Sequence, residues 1–327
     1  MPKSTITVAM CTYNGARHLP GQLASIVSQT RLPDEIVICD DSSCDSTAPI
    51  LEEFARTAPC PVRLFLNRER LGVAKNFEKA IGLATGEVIA LADQDDVWYP
   101  IKLEELELSL ANAALAFSDA DVMDENLRPF GYRLWETVGF HGKRPSPRGD
   151  LFVDLLQSNV VMGASLAFRS ELRDLVLPIP ACWAHDAWIA LLVSAVATAT
   201  WIEKPLLAYR QHGKNQIGGR RENLRTRILR NWRDPAYQPK DLVPRFEEAL
   251  TRLETYRASS GVKHEAIQRL EQKIAHLKRR RRAVETPVVG LGFLVAEAMR
   301  MGYHRYSRGW ATVVKDAFLN LRNLLKR

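Results

Sequence analysis

The chain has 327 residues, 46% of them hydrophobic and 25% charged, an ordinary globular balance with enough apolar residues for a sizeable core. Its five cysteines are odd in number and match no zinc spacing, which speaks against a disulfide framework or a Cys-ligated zinc and for reduced thiols in a cytosolic protein. The net charge of +7 is uneven: residues 1–214 hold 20 Lys+Arg against 27 Asp+Glu, and residues 215–327 hold 25 against 11. The N-terminal apolar run is too short for a signal peptide, and no stretch reaches the roughly 18–20 apolar residues of a membrane span. Neither secretion nor membrane crossing is expected.

Residues 1–120 alternate short apolar runs with helical patterns, as repeated βαβ units do. Residues 6–10 (ITVAM) read as a strand ending in TYNG. Residues 19–29 carry Leu19, Leu23, Ile26 and Val27 at helical spacing. Residues 35–39 (EIVIC) read as a second buried strand ending in DDSS, and Asp45 or Ser46 caps a helix running to about Arg56. Residues 62–66 form a third strand. Residues 72–84 place Val73, Phe77, Ala80, Ile81 and Ala84 on one helical stripe. Residues 87–92 (EVIALA) form a fourth strand ending in DQDD, followed by a helix over 103–110 and a strand over 113–117. Residues 130–150, rich in Pro, Gly and Arg, read as a loop. Then come a helix, VVMGASLAF as a strand around Gly163, an apolar helix opened by HDAW at 185–188, a strand near Trp201 and the segment LLAYRQHGKN. From about residue 220 Lys, Arg, Glu and Leu dominate, and residues 246–282 read as one long amphipathic helix. The boundary between the two parts is expected at 214/215.

Three polar clusters, TYNG, DDSS and DQDD, each follow a strand. Ligands of an open parallel sheet bind beyond the carboxyl ends of its strands, so the clusters should converge on one edge. Asp93 and Asp95, one residue apart past a buried strand, suit Mg2+ or Mn2+ bridging phosphates; the plain alternative is a solvated acidic turn. Asp40 and Asp41 can accept hydrogen bonds from a ribose or a base, or cap a helix. Arg70, Gly72 and Lys75 stand where a helix N-terminus with nearby cations would take an anion. Asp186, at the mouth of an apolar helix, is a candidate general base. His212 is a candidate metal ligand. No Ser-His-Asp order, Walker loop or GxGxxG fingerprint is present.

The segments VAMCTYNGARHLPGQLASIVSQT, EIVICDDSSCDST, NRERLGVAKNFEKAI and TGEVIALADQDDVWYPIKL, with MGASLAF, HDAW and YRQHGKNQIG further on, resemble family 2 glycosyltransferases of the GT-A fold. ADQDDVW with HDAW is most similar to bacterial rhamnosyltransferases of O-antigen and capsule synthesis. The resemblance implies an α/β fold with a mainly parallel central sheet flanked by helices and a C-terminal helical extension. It divides the chain into a catalytic domain over 1–214, with nucleotide-sugar binding to about residue 120 and the acceptor part after it, and a basic helical region over 215–327.

Carried over by motif, Thr12, Tyr13 and Asn14 line the nucleotide site, Asp40 or Asp41 reads the base or ribose, and Arg70, Gly72, Lys75, Asp93 and Gln94 complete the donor set. Asp95 holds the divalent metal, Mg2+ or Mn2+, and His212 completes its shell. Asp96, Trp98, Gly163, Ala164, His185 and Trp188 serve the donor and acceptor sugars. Asp186 is the base; relatives often carry Glu-Asp there, and His185 stands in place of the Glu. The implied reaction is inverting transfer of a sugar, L-rhamnose by first choice, from a dTDP- or UDP-sugar to a hydroxyl of a growing, lipid-linked cell-surface saccharide. The alternative, a nucleotide-sugar-binding or scaffold protein without transfer activity, is disfavoured by intact DQDD and HDAW.

The implied location is cytoplasmic, peripheral on the inner face of the cytoplasmic membrane. In the basic tail, residues 278–282 (KRRRR) lack interleaved aromatics, so nucleic acid is not an expected partner. Trp310, Val313, Val314, Phe318, Leu321 and Leu325 form a helical stripe that would meet a membrane surface, the catalytic domain or a second copy of the chain.

Overall fold

The computed structural model describes residues 3–140, 150–212, 239–260, 264–286 and 289–325. The chain divides into two compact units, Met1–Pro147 with Val160–Arg220, and Arg148–Asn159 with Arg221–Arg327. The short segment before Val160, which the sequence assigns to the catalytic part, thus belongs to the second unit.

The first unit is built on strands β1 (Ile6–Thr12), β2 (Glu35–Asp40), β3 (Val62–Leu66), β4 (Val88–Ala92), β5 (Val97–Trp98), β6 (Leu115–Met123), β7 (Pro129–Arg133), β8 (Leu166–Arg169) and β9 (Ala199–Arg210). Their order is β3-β2-β1-β4-β8-β6-β9-β5, with β7 paired on β6. β1 is parallel to β2 and β4, and β2 to β3. β8 runs antiparallel between β4 and β6. Every residue of β1, β2 and β4 is buried, as unbroken apolar runs covered on both faces must be. The helices are α1 (Leu19–Val27), α2 (Thr47–Thr57), α3 (Val73–Leu83), α4 (Lys102–Leu110), α5 (Leu134–Val138), α7 (Arg173–Val176) and α8 (His185–Val196), while α6 (Leu151–Gln157) lies in the second unit. Phe77, Ala80 and Ile81 bury the stripe of α3. The chain order reverses at β1: β2 and β3 lie on one side and β4 on the other. TYNG and DQDD therefore flank a switch point, where an open sheet leaves a crevice.

Three local expectations change. Residues 130–150 are not all loop: β7 pairs with β6, and α5 follows with Leu134 and Trp135 buried. Asp119 Oδ1 accepts the Trp135 amide at 3.0 Å and fixes that helix start. Around Gly163 the chain makes a 3-10 turn, Gly163–Ser165, before β8 begins. The Lys102 ammonium takes the Ala164 carbonyl there, so that carbonyl is turned away from a strand partner.

The third change lies in the second unit, where the expected long helix is two, α9 (Pro239–Ser260) and α10 (His264–Glu285). They are antiparallel: Lys278 pairs with Glu247 at 2.7 Å, and the Lys273 ammonium lies 4.8 Å from the Phe246 ring centre. α11 (Val289–Met299), α12 (Gly302–Tyr306) and α13 (Trp310–Leu325) complete the unit.

Polar residues form much of its interior. Arg280 grips Asp316 with two bonds of 2.6 and 3.0 Å, and the Tyr303 hydroxyl donates to Asp316 at 2.9 Å. His276 Nδ1 lies 2.6 Å from Glu297, and its Nε2 lies 2.9 Å from Ser307 Oγ. Arg279 also pairs with Glu297, and Arg281 with Glu285. Four of the five cations at 278–282 are thus ion-paired inside the unit, because the acidic partners lie on neighbouring turns and helices. The run is not the open basic patch that its spelling suggests.

Removing one partner of the buried Arg280–Asp316 pair strands a charge and costs roughly 3–5 kcal/mol. Urea unfolding should show that loss for Asp316→Ala, while Arg281→Ala, at an exposed pair, should stay within about 0.5 kcal/mol. Burial pushes His276 down to about 4, against the opposing bond to Glu297. The unfolded chain then binds more protons than the folded one between about pH 4 and 6.5, so stability is lost as pH falls through that window. His276→Gln, which keeps a donor and an acceptor, should flatten the pH dependence of the urea midpoint there.

Candidate active site

The cleft lies in the first unit, encloses about 910 Å3, and is lined by the loops after β1, β2 and β4 together with Gly163, Trp183–Asp186, Tyr209 and His212. That volume accommodates a nucleotide-sugar.

Its loops are held by side chains that the sequence offers as ligands. Thr12 Oγ1 donates to Asp40 Oδ1 at 2.7 Å, and Asp40 also takes the Ser43 amide and hydroxyl. Asp40 is 2% exposed and organises the DDSS loop from behind the cleft. Asp41 lines the cleft, but accepts the amides of Leu71 at 2.6 Å and Gly72 at 2.9 Å. The start of α3, where an anion was expected, is thereby filled by a carboxylate of the protein itself. Gly72 has φ +82°, which only glycine adopts without strain. Lys75 pairs with Glu78 at 2.7 Å and is not among the lining residues.

The Gln94 amide exchanges two hydrogen bonds with the Tyr13 backbone, 2.7 Å at N–H and 3.0 Å at C=O, and ties TYNG to DQDD. A side chain at position 15 would begin 2.2 Å from Gln94 Oε1, so this contact requires Gly15. Asn14, at φ +47°, receives Cys44 N–H on its side chain and donates its own amide to Ser43. Tyr13 and Arg70 form the rim, the guanidinium 4.0 Å from the ring centre.

Asp93, Asp95 and Asp186 all line the cleft. Burial pushes the Asp93 carboxyl up to about 7, with Asp95 and Asp186 adding repulsion. Asp95 Oδ2 lies 2.7 Å from His212 Nε2. The carboxylate is a ligand that Mn2+ or Mg2+ accepts, and the imidazole beside it suits Mn2+, the softer of the two, with further positions left to phosphate and water. Among the described residues no cluster of three or more His, Cys, Asp or Glu could hold a metal. A site on Asp95 and His212 would therefore depend on oxygens of the donor. Arg210 fastens the same loop from beneath, donating to the Asp95 carbonyl at 2.7 Å.

Asp186 stands in the first turn of α8, 4% exposed, with the amides of Ala187 at 2.6 Å and Gly163 at 3.3 Å on its carboxylate. The positive end of a helix is a favourable place for such a group. His185 stacks on Phe77, ring centres 3.9 Å apart, and burial lowers its pKa. A Cβ at Gly163 would lie 2.5 Å from His185 Nε2, so Gly163 lets the imidazole close the cleft floor.

Besides Asp40, four more expected ligand residues lie behind the cleft. Asp96 is fully buried, and its Oδ1 accepts the Arg210 amide at 3.1 Å. Trp98 is 2% exposed, with the Lys102 ammonium 3.7 Å from its ring centre. Trp188 is fully buried and donates to the Val176 carbonyl at 2.8 Å. Ala164 is buried, with only its carbonyl used, by Lys102. Each supports the fold next to the site, since closeness in sequence to Asp95, Gly163 or Asp186 does not aim a side chain into the cleft. Conversely, the cleft includes Arg17, His18, Glu125 and Trp183, which the sequence reading missed. Arg17 and His18 follow TYNG after Ala16, and Trp183 precedes HDAW with one residue between, so proximity to motifs was the available signal. His18 stacks on His212 at 5.3 Å.

The sheet order and the switch-point cleft, with two carboxylates after β4, are those of the GT-A fold. The fold matches that of Staphylococcus aureus TarS residues 1–349 in complex with UDP-GlcNAc, with a TM-score of 0.60 at 13% identity, covering 99% of this chain and 92% of that one. The sequence model of Glycosyl transferase family 2 matches residues 7–175, more than half of the chain, and the chain belongs to that family. It is 29% identical over 219 residues to an uncharacterized glycosyltransferase of Nostoc sp., covering 64% of this chain and 66% of that protein. It is 28% identical over 239 residues to the dTDP-rhamnosyl transferase RfbG of Shigella flexneri, covering 64% and 73%. The match thus spans just under two thirds of the Nostoc protein.

With only two protein ligands, Mn2+ should bind the protein weakly alone and more tightly once a nucleoside diphosphate is added. Electron paramagnetic resonance of free Mn2+ reads this directly. His212→Ala and Asp95→Ala should abolish the nucleotide-dependent gain.

Proposed function

We propose that this glycosyltransferase moves a sugar from a nucleoside-diphosphate donor to an acceptor hydroxyl in one displacement that inverts the anomeric centre, with Asp186 as the base. One observation carries the reading: Asp186 and the Asp95–His212 pair border the same cleft. The acceptor oxygen bonds to the anomeric carbon as the bond from that carbon to the diphosphate oxygen breaks, and the acceptor proton passes to an Asp186 carboxylate oxygen. The Ala187 and Gly163 amides hold that carboxylate in place. Tyr13 and Arg70 offer a flat, cationic rim for the nucleotide. Asp95 and His212 would hold Mg2+ or Mn2+, and such an ion would neutralise charge on the departing diphosphate. The likeness to the Shigella protein supports dTDP-L-rhamnose as first donor to test, with UDP-sugars next. The acceptor is a growing, lipid-linked saccharide of a cell-surface polymer.

The test is a donor panel with Mn2+ and saccharide acceptors, the anomeric configuration of the product being read by NMR. A product of retained configuration would overturn the single displacement. Asp186→Asn should keep donor affinity in calorimetry and lower kcat by roughly 10²–10⁴, the usual loss for a general base. Unchanged turnover would move the base elsewhere.

A further inference from the structure

In the second unit α9 and α10 bury apolar residues such as Leu253 and Leu277 in the ordinary way, but α13 does not. Of its expected stripe, Val313 packs against the cluster of Ala283, Leu294 and Tyr303, and the rest faces outward: Trp310 is 66% exposed, Val314 58%, Phe318 42%, Leu321 52% and Leu325 79%. At about 100° per residue these positions fall on one narrow arc of the helix. The buried face of α13 carries Lys315, Asp316, Leu319 and Asn320 instead, and three of those four side chains are polar. α11 also exposes apolar side chains: Val289, Leu291, Phe293, Val295 and Met299 are exposed, whereas Gly290, Leu294 and Glu297 are buried.

The charges of this region are one-sided. Between residues 289 and 325 the carboxylates are Glu297 and Asp316, 1% and 0% exposed, and both are paired inside the unit. Arg300, Arg305, Arg308 and Arg322 are exposed. The outer surface of α11–α13 therefore combines large apolar side chains with arginines and presents no carboxylate among its described residues.

We infer that this surface docks on an anionic lipid bilayer, with α11 and α13 lying in the interface. The charge pattern selects this occupant. A two-fold pairing of the same face between two copies would bring like arginine-rich surfaces together with no acid to answer them. Anionic headgroups supply the missing charge, and the acyl boundary receives the Trp, Phe, Leu and Val side chains. The mode is surface-lying: no helix among the described residues is long and apolar enough to cross, and the 11 residues of α11 extend only about 16 Å. The inference stands on the second unit alone and goes beyond the transfer reading.

The experiment is flotation of the full chain with phosphatidylcholine vesicles, with and without phosphatidylglycerol, at low and high salt. Flotation with the phosphatidylglycerol vesicles, weakened by salt, is the expected result. Quenching of Trp310 by brominated lipid, lost in Trp310→Phe, should accompany it. Arg305→Ser with Arg308→Ser should lower partitioning by on the order of tenfold, and Phe318→Ser with Leu321→Ser should abolish it. All four positions are exposed, so the variants should keep the wild-type melting profile and turnover on a soluble acceptor. Full-length protein that stays with the soluble fraction at low salt overturns the inference. So does a dimer in sedimentation that Phe318→Ser with Leu321→Ser dissociates while vesicles bind nothing. Neither result touches donor turnover, so failure here and failure of the transfer reading are separable.

Discussion

Asp93, Asp95, Asp96 and Asp186 crowd the carboxyl edge of one sheet, and their mutual repulsion must be offset by whatever surrounds them. The fold answers in three ways. Burial and neighbouring charge raise Asp93, to about 7, and Asp96, which lessens the charge the edge must carry. Lys102, itself fully buried, stands behind them as the compensating cation, and burial lowers it to about 7 while Asp96 and Asp93 hold it up. Acids and a base shifted toward one another share protons as a group. Asp186 sits instead in the first turn of α8, where the helix dipole answers a carboxylate. A cation beside Asp95 would relieve what repulsion is left.

Around that edge the polar groups divide their labour. Asp40, Asp41 and Gln94 have their hydrogen bonds taken up by backbone amides and neighbouring loops, and Asp96 takes the Arg210 amide on Oδ1 while its buried Oδ2 has no partner. They give the three loops a fixed shape. The groups facing the cleft include Tyr13 with Arg70 at the rim, Asp93, Asp95 with His212, and Asp186. Tightly bonded polar residues make a cleft whose walls need little reorganisation on binding, the general requirement of a preorganised site.

How far the sequence could be read follows from this division. The strands β1 to β4 were legible because parallel strands buried on both faces are spelled as unbroken apolar runs, and the clusters after them marked the edge. What could not be read was direction. Asp96 and Trp98 stand close to Asp95 in the chain, yet their side chains turn into the core. Lys102 was invisible as a site neighbour, since a lysine in KLEELELSL spells a solvated helix start, and only the fold puts it over Trp98. The break between α9 and α10 was missed because amphipathic periodicity continues on both sides of it. Residues 213–214, at the end of the expected first domain, and residues 141–149 lie outside the described residues.

The second unit shows why periodicity alone cannot say which side of a helix faces inward. The apolar stripe of α13 is clear in the sequence, and the ordinary rule would bury it. The structure buries the opposite face, because Arg280, Asp316 and Tyr303 answer one another across three helices. Taking such groups out of water is costly, and the cost is offset only when every charge has a close partner. The pairing is met here by Arg280 with Asp316, and by Glu297 with His276 and Arg279. A helix that commits its polar face to such a network has no choice but to turn its apolar face outward. The first unit hides apolar strands and offers polar groups to a ligand, while the second packs ion pairs beside its buried leucines and leaves most of the α13 stripe to its surroundings.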